Sequence, residues 1–144
     1  MARAVTVQFK GLKELRRRVD ALDDLGPFMR DLALVATAEQ KRLAPVKTGN
    51  LRRSINVGRV TNTSAETIAR AEYAAYVEYG TRPHEIRPRN RRVLRWKKGN
   101  TYVYARRVNH PGTRAQPYMI PGAQRAINSA QIRERIIALW NNAA

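Results

Sequence analysis

A chain of 144 residues, 43% of them hydrophobic, is long enough for one compact domain and too apolar to be disordered throughout, even with 28 Lys/Arg against 11 Asp/Glu. The formal net charge of +17 directs attention to anionic partners, nucleic acid or an acidic protein surface. The absence of cysteine excludes a disulfide framework and thiolate metal sites, and no apolar run reaches a membrane span or forms the core of a signal peptide, so a soluble, cytosol-made protein is expected.

In chain order, the alternating residues 4–9 suit a strand. From Gly11 a helical pattern follows, with Leu12, Leu15, Val19 and Leu22 on one stripe. Arg16, Arg17 and Arg18 fan over its other faces, as a phosphate contact or as a solvated surface balanced by Asp20, Asp23 and Asp24. After Gly26-Pro27 a second helix is expected to run to about Ala44, burying Phe28, Met29, Leu32, Val35, Ala36 and Leu43. Glu39 falls inside that stripe, either at its rim or as the partner of an Arg. Pro45 ends the helix and Thr48-Gly49 marks a turn; residues 55–73 read as two antiparallel strands, and 73–79 as a short helix capped by Gly80.

Residues 82–114 concentrate charge. Arg82, Arg87, Arg89, Arg91, Arg92, Arg95, Lys97, Lys98, Arg106, Arg107 and Arg114 stand against a single acid, Glu85. Two β-prone runs flank Gly99-Asn100, a two-residue turn signal, so this segment is predicted to be a long basic hairpin. Leu94 with Trp96 on one arm, and Tyr102 with Tyr104 on the other, are expected to give it one aromatic face and an Arg/Lys-rich remainder. Such a hairpin is expected to protrude and to settle on a neighbour. A final helix is predicted from residues 118–122 to 141 with two apolar stripes. One contains Ile120, Ala123, Ala126, Ile127, Ala130 and Ile137; the other, nearly opposite, contains Ile132, Ile136, Leu139 and Trp140. The second stripe fits either a neighbouring subunit or a helix sunk between elements of its own chain. The expected fold class is α+β, a single domain over 1–144 in which an antiparallel sheet with a long basic β-hairpin packs against two or three helices.

No catalytic constellation emerges. His84 and His110 have no accompanying acid or thiol pattern and read as loop residues beside proline; no nucleophile elbow or phosphate-cradling glycine loop occurs. Glu72 and Glu78 are not spaced as an acid/base pair. Catalytic, metal and cofactor sites are therefore expected to be none. Arg87, Arg89, Arg91, Arg92, Arg95, Lys97 and Lys98, interleaved with aromatics, suit DNA electrostatically and suit an acidic protein equally well.

Three blocks taken together resemble a known family. Residues 44–55, APVKTGNLRRSI, are similar to the "AP-x-x-TG-x-L-x-x-SI" signature of tailed-phage tail-completion or neck proteins, through Pro45, Thr48, Gly49 and Leu51. Residues 73–81, YAAYVEYGT, resemble its "YA-x-x-VE-x-GT" element, through Tyr73, Glu78, Gly80 and Thr81. Residues 110–118, HPGTRAQPY, resemble "HPGT-x-x-QPF", through His110, Pro111, Gly112, Gln116 and Pro117, with Tyr118 where Phe is usual. The resemblance spans about residues 43–126. It implies a structural virion protein at the head-to-tail junction, assembled in the bacterial host cytoplasm. It further implies a homo-oligomeric ring around the DNA channel, touching head-closure, tail-terminator or tail-tube proteins and genome DNA without sequence preference, and no membrane. Subunit-interface candidates are Ile132, Ile136, Leu139, Trp140, Trp96, Tyr102, Tyr104 and Glu78, the last expected to pair with an Arg within the subunit or across the ring. The alternative is a stand-alone, nonspecific nucleic-acid-binding module.

Overall fold

The computed structural model of the chain describes residues 4–8 and 24–142. The expected helix at 11–22, with its arginine triplet, lies outside them. A three-stranded antiparallel sheet forms from β1 (Val5–Gln8), β2 (Ile55–Val60) and β3 (Ala65–Ala69), ordered β1-β3-β2. The central strand β3 alternates strictly, turning Ala65, Thr67 and Ala69 into the interior. At the β2–β3 turn the Thr61 hydroxyl accepts the Ser64 N–H at 3.0 Å.

Helix α1 (Gly26–Leu43) covers the sheet. Pro27 sits in its first turn, where a missing N–H costs nothing, and the Gly26 N–H is taken by Asp24 Oδ1 at 2.8 Å. Its buried stripe is Phe28, Met29, Leu32, Ala33, Ala36, Thr37 and Gln40. Glu39 lies at the rim and pairs with the exposed Arg42 at 3.4 Å, one turn along. Two short helices follow, α2 (Asn50–Ser54) and α3 (Ala74–Tyr79), the latter ending at Gly80.

The C-terminal segment is two helices, α4 (Met119–Ile127) and α5 (Ala130–Asn142), rather than one. Ser129 makes the break: its hydroxyl donates to the Ala126 carbonyl at 2.7 Å and accepts the Ile132 N–H at 3.3 Å, closing one helix and capping the next. This break disposes of the two opposed apolar stripes. Met119, Gly122, Ala123 and Ala126 of α4 face inward. After the chain re-aims, Ile132 is fully buried in a cluster with Phe28, Met29, Leu32, Ala33 and Ala65, and Ile136 and Leu139 pack against that cluster. Of the four helical interface candidates Ile132 is therefore core of its own subunit, and Ile136 and Leu139 are half-buried against that core. Trp140 remains 44% exposed, and the exposed apolar residues of these helices also include Ile120, Ile127 and Ile137.

The basic segment resolves into two short ladders instead of one continuous ribbon. At its foot β4 (His84–Ile86) pairs with β7 (Val108–His110), and at its tip β5 (Leu94–Lys98) pairs with β6 (Thr101–Ala105). Between them, residues 87–93 on one arm face only 106–107 on the other, and Pro88 has no N–H to offer, so the ladder cannot run through. The tip closes on a two-residue loop with Gly99 at φ 63° and no positive φ at Asn100, the pattern of a type II′ turn.

Candidate functional site: a clasp beneath a basic excursion

The second and third motif blocks meet at the foot of the excursion. Thr81 and Thr113 exchange both backbone hydrogen bonds, at 2.9 and 3.0 Å, and the Gln116 N–H reaches the Val77 carbonyl at 2.8 Å. The backbones come so close that only glycine fits beside the bridge. A Cβ on Gly80 would stand 2.5 Å from the Thr113 oxygen, and one on Gly112 would stand 2.3 Å from the Thr81 oxygen. Both glycines also hold positive φ, 71° and 87°.

Glu78 locks this clasp to the body. It is 2% exposed, and its carboxylate accepts the backbone N–H groups of Tyr118 at 2.7 Å, Met119 at 2.9 Å and Ile120 at 3.1 Å. These are the donors at the start of α4 that no helical carbonyl can reach. The next residue, Pro121, has no N–H, and the Gly122 N–H makes the first intrahelical bond, to Tyr118 O at 3.1 Å. Glu78 and Pro121 together thus satisfy the whole helix start, and a carboxylate there also meets the positive end of the helix dipole. The expected arginine partner is replaced by backbone, and burial within the subunit removes Glu78 from the interface candidates.

Beside it, Tyr118 is fully buried among Val5, Leu51, Ile55, Ala69 and Ala74, and its hydroxyl has no hydrogen-bond partner among the described residues. Burial pushes that hydroxyl's pKa well above the ordinary tyrosine value, with the Glu78 carboxylate, then Tyr73 and Tyr79, adding to the shift. Because an unpartnered buried hydroxyl is a net cost, Tyr118→Phe is expected to raise stability by about 1 kcal/mol. Thermal melts of the two proteins check this; a lower Tm in the variant would mean the hydroxyl is bonded.

The first motif block completes the arrangement. Gly49, at positive φ, precedes α2, Leu51 is buried, and the three blocks together line an open groove of about 410 Å³. Pro45, Thr48, Tyr73, Val77, Thr113 and Gln116 form its walls, joined by Tyr76 and Arg114. Tyr73 and Tyr76 are exposed there. Among the described residues no group of three or more metal-ligating side chains occurs. His84 and His110 stand directly opposite each other on β4 and β7, ring centroids 5.1 Å apart, rather than as independent loop residues. His110 Nδ1 accepts the Gly112 N–H at 3.0 Å, so this histidine braces the clasp.

The side chains proposed to face DNA, Arg87, Arg89, Arg91, Arg92, Arg95, Lys97 and Lys98, are all exposed on the excursion. Glu85, the sole acid there, is already bonded to Arg87 and lies 3.7 Å from Arg107. The tip register corrects the expected single aromatic face. Trp96 pairs with Val103 and Leu94 with Ala105, whereas Tyr104 pairs with Arg95 and Tyr102 with Lys97. Directly opposed residues share a face, so Trp96 and the two tyrosines lie on opposite sides.

Two residues were not singled out from the sequence. Gln40, fully buried, donates to Thr67 Oγ1 at 2.8 Å and to the Met119 carbonyl at 3.0 Å, tying α1 to the sheet and to α4. Gly122 lies against it: a Cβ there would stand 2.6 to 2.7 Å from Gln40 Cγ, Cα and N. The signal for Gln40 was its place on the apolar stripe of α1, four residues beyond Ala36.

Residues 10–80 match the family model described as "Bacteriophage HK97-gp10, putative tail-component". Comparisons with curated proteins and with solved structures gave no match. The matched segment contains the first motif block and the second up to Gly80, while the third block lies beyond it. Over that segment the chain is similar to a putative tail component of a bacteriophage, the class that the three motif blocks also resemble. No helix among the described residues is long and apolar enough to cross a membrane.

Proposed function

We propose that the chain is a virion protein of the head-to-tail junction, a tail-completion or neck subunit. In this reading it forms a homo-oligomeric ring around the DNA channel, between head-closure, tail-terminator or tail-tube neighbours, and is assembled in the host cytoplasm. The observation that supports it most is the excursion: a dense set of exposed cations, with one acid already engaged, carried on a folded body by a clasp made of the tail-family motifs. A channel that lets DNA slide needs a diffuse positive field and no base readout. Binding to duplex is accordingly weak, indifferent to sequence and steeply dependent on salt. No catalytic role is part of this reading.

Ring contacts in this reading use apolar surface that the fold leaves outside, such as Ile137, 58% exposed on α5. Ile137→Asp is expected to weaken self-association while the subunit stays folded, whereas Ile132→Asp is expected to unfold it, because a charge would be buried without a partner. Light scattering after size exclusion, at two salt concentrations and alongside circular dichroism, separates the cases. A wild-type chain that stays monomeric at every concentration yet binds nucleic acid tightly would favour the stand-alone binding module.

A further inference from the structure

We propose that the open face of the β5–β6 tip, made by Arg95, Lys97, Tyr102 and Tyr104, is a stacking platform for unpaired nucleotides. The proposal rests on reading the excursion as a surface facing nucleic acid, and it assigns this face a contact different from that of the surrounding cations. The cross-strand register places these four side chains together, and both rings are open, Tyr102 49% and Tyr104 59% exposed. The opposite face holds Leu94, Val103 and Ala105, each half-buried, with Trp96 less open than either tyrosine at 39% exposed. An outward tyrosine pair on a two-stranded ladder serves no core.

The Arg95 guanidinium carbon lies 3.9 Å from the centroid of the Tyr102 ring. At that distance the cation sits over the ring, and arginine planes and aromatic rings are the groups on which bases stack in single-stranded recognition. Tyr104, opposite Arg95 in the register, supplies a second platform, and Lys97 supplies charge for a phosphate between them.

Access to base faces selects the unpaired form. Tyr102 and Tyr104 are two residues apart on one strand, about 7 Å along it. Bases in duplex advance about 3.4 Å per nucleotide along a strand and keep their faces inside the stack, so neither ring can meet one. An unstacked strand can extend to match. An acidic protein would satisfy Arg95 and Lys97 but would give the exposed Tyr104 ring nothing to stack on. No acid of the excursion competes, since Glu85 is held by Arg87.

The test is fluorescence anisotropy of the full chain with three probes over a salt series: a labelled oligo-dT of about 12 nucleotides, within the usual site size, a duplex of equal length, and polyglutamate. The proteins are wild type, Tyr102→Ala/Tyr104→Ala, Tyr102→Phe/Tyr104→Phe and Arg95→Gln/Lys97→Gln. The alanine pair is expected to lose roughly 5- to 100-fold in oligo-dT affinity, as for loss of base stacking, with duplex affinity almost unchanged. The phenylalanine pair is expected to restore it, and the Gln pair to flatten the salt dependence. Equal losses on oligo-dT and duplex, no loss on oligo-dT, or polyglutamate binding as strong as oligo-dT would each overturn the proposal. If duplex binding stays salt-dependent while the tyrosine variants do nothing, this face is ordinary charge and the channel reading stands. If oligo-dT binds through the tyrosines and duplex does not bind, the channel reading falls and the platform remains.

Discussion

Glu78→Ala is expected to cost about 3–4 kcal/mol, because it strips a buried charged acceptor from three backbone donors at once. In a domain of this size that lowers Tm by roughly 10 °C. Glu78→Gln keeps the shape but turns an amide NH₂ toward a cluster of N–H groups, so it is expected to recover only part of the loss. The measurement is denaturant unfolding of all three proteins, read together with hydrogen exchange at Met119 and Ile120. A wild-type midpoint for the alanine variant would show that the start of α4 is held by something other than this carboxylate.

Gly122→Ala is expected to be comparably severe, about 3 kcal/mol, at the upper end of overpacking costs. The added carbon would meet the α1 backbone at Gln40 Cα and N, each 2.7 Å away, and a backbone cannot rotate aside as a flexible side chain can. The helices must part, which also loosens the Gln40 bonds to Thr67 and Met119. Ala is otherwise the better helix former by about 1 kcal/mol, so a variant more stable than wild type would contradict the close approach. Gln40→Ala in the Gly122→Ala background separates the shares: both single changes loosen or remove the Gln40 bonds, so the double variant loses less than their sum, while the backbone contact, which Ala at 40 keeps, leaves it less stable than Gln40→Ala alone.

Elements whose signals are local were legible in the sequence. Pro27 and Pro45 frame α1, the β-branched run broken at residues 61–64 gives β2 and β3, and Gly80 ends α3. The Gly99-Asn100 turn is legible as well, and it fixes the register of the tip. A two-residue loop pairs Lys98 with Thr101, and counting back from that pair puts Trp96 opposite Val103 and both tyrosines among the cations. Other features depend on contacts far apart in the chain. Composition suggested an arginine for Glu78, yet its partners lie 40 to 42 residues away in the first turn of another helix. The break at Ser129 has only a weak local signal, since serine is tolerated within helices, and without it Ile132, Ile136 and Leu139 point away from the core. Gly80 and Gly112 suit turns by residue type alone; that they let Thr81 and Thr113 pair appears only when the two strands of the clasp lie side by side.

That clasp carries the central claim: the body folds on its own account, and the basic excursion is a separable binding element fixed to it at both ends. Thr81 and Thr113 form a mutually hydrogen-bonded antiparallel pair, which a two-residue Asn-Gly loop can close directly. Replacing residues 82–112 with Asn-Gly and measuring thermal unfolding together with salt-dependent duplex binding tests this most directly. The expected result is a cooperative transition within a few degrees of wild type and loss of nucleic-acid binding. A shortened chain that fails to fold, or one that folds and still binds duplex as the full chain does, would contradict it.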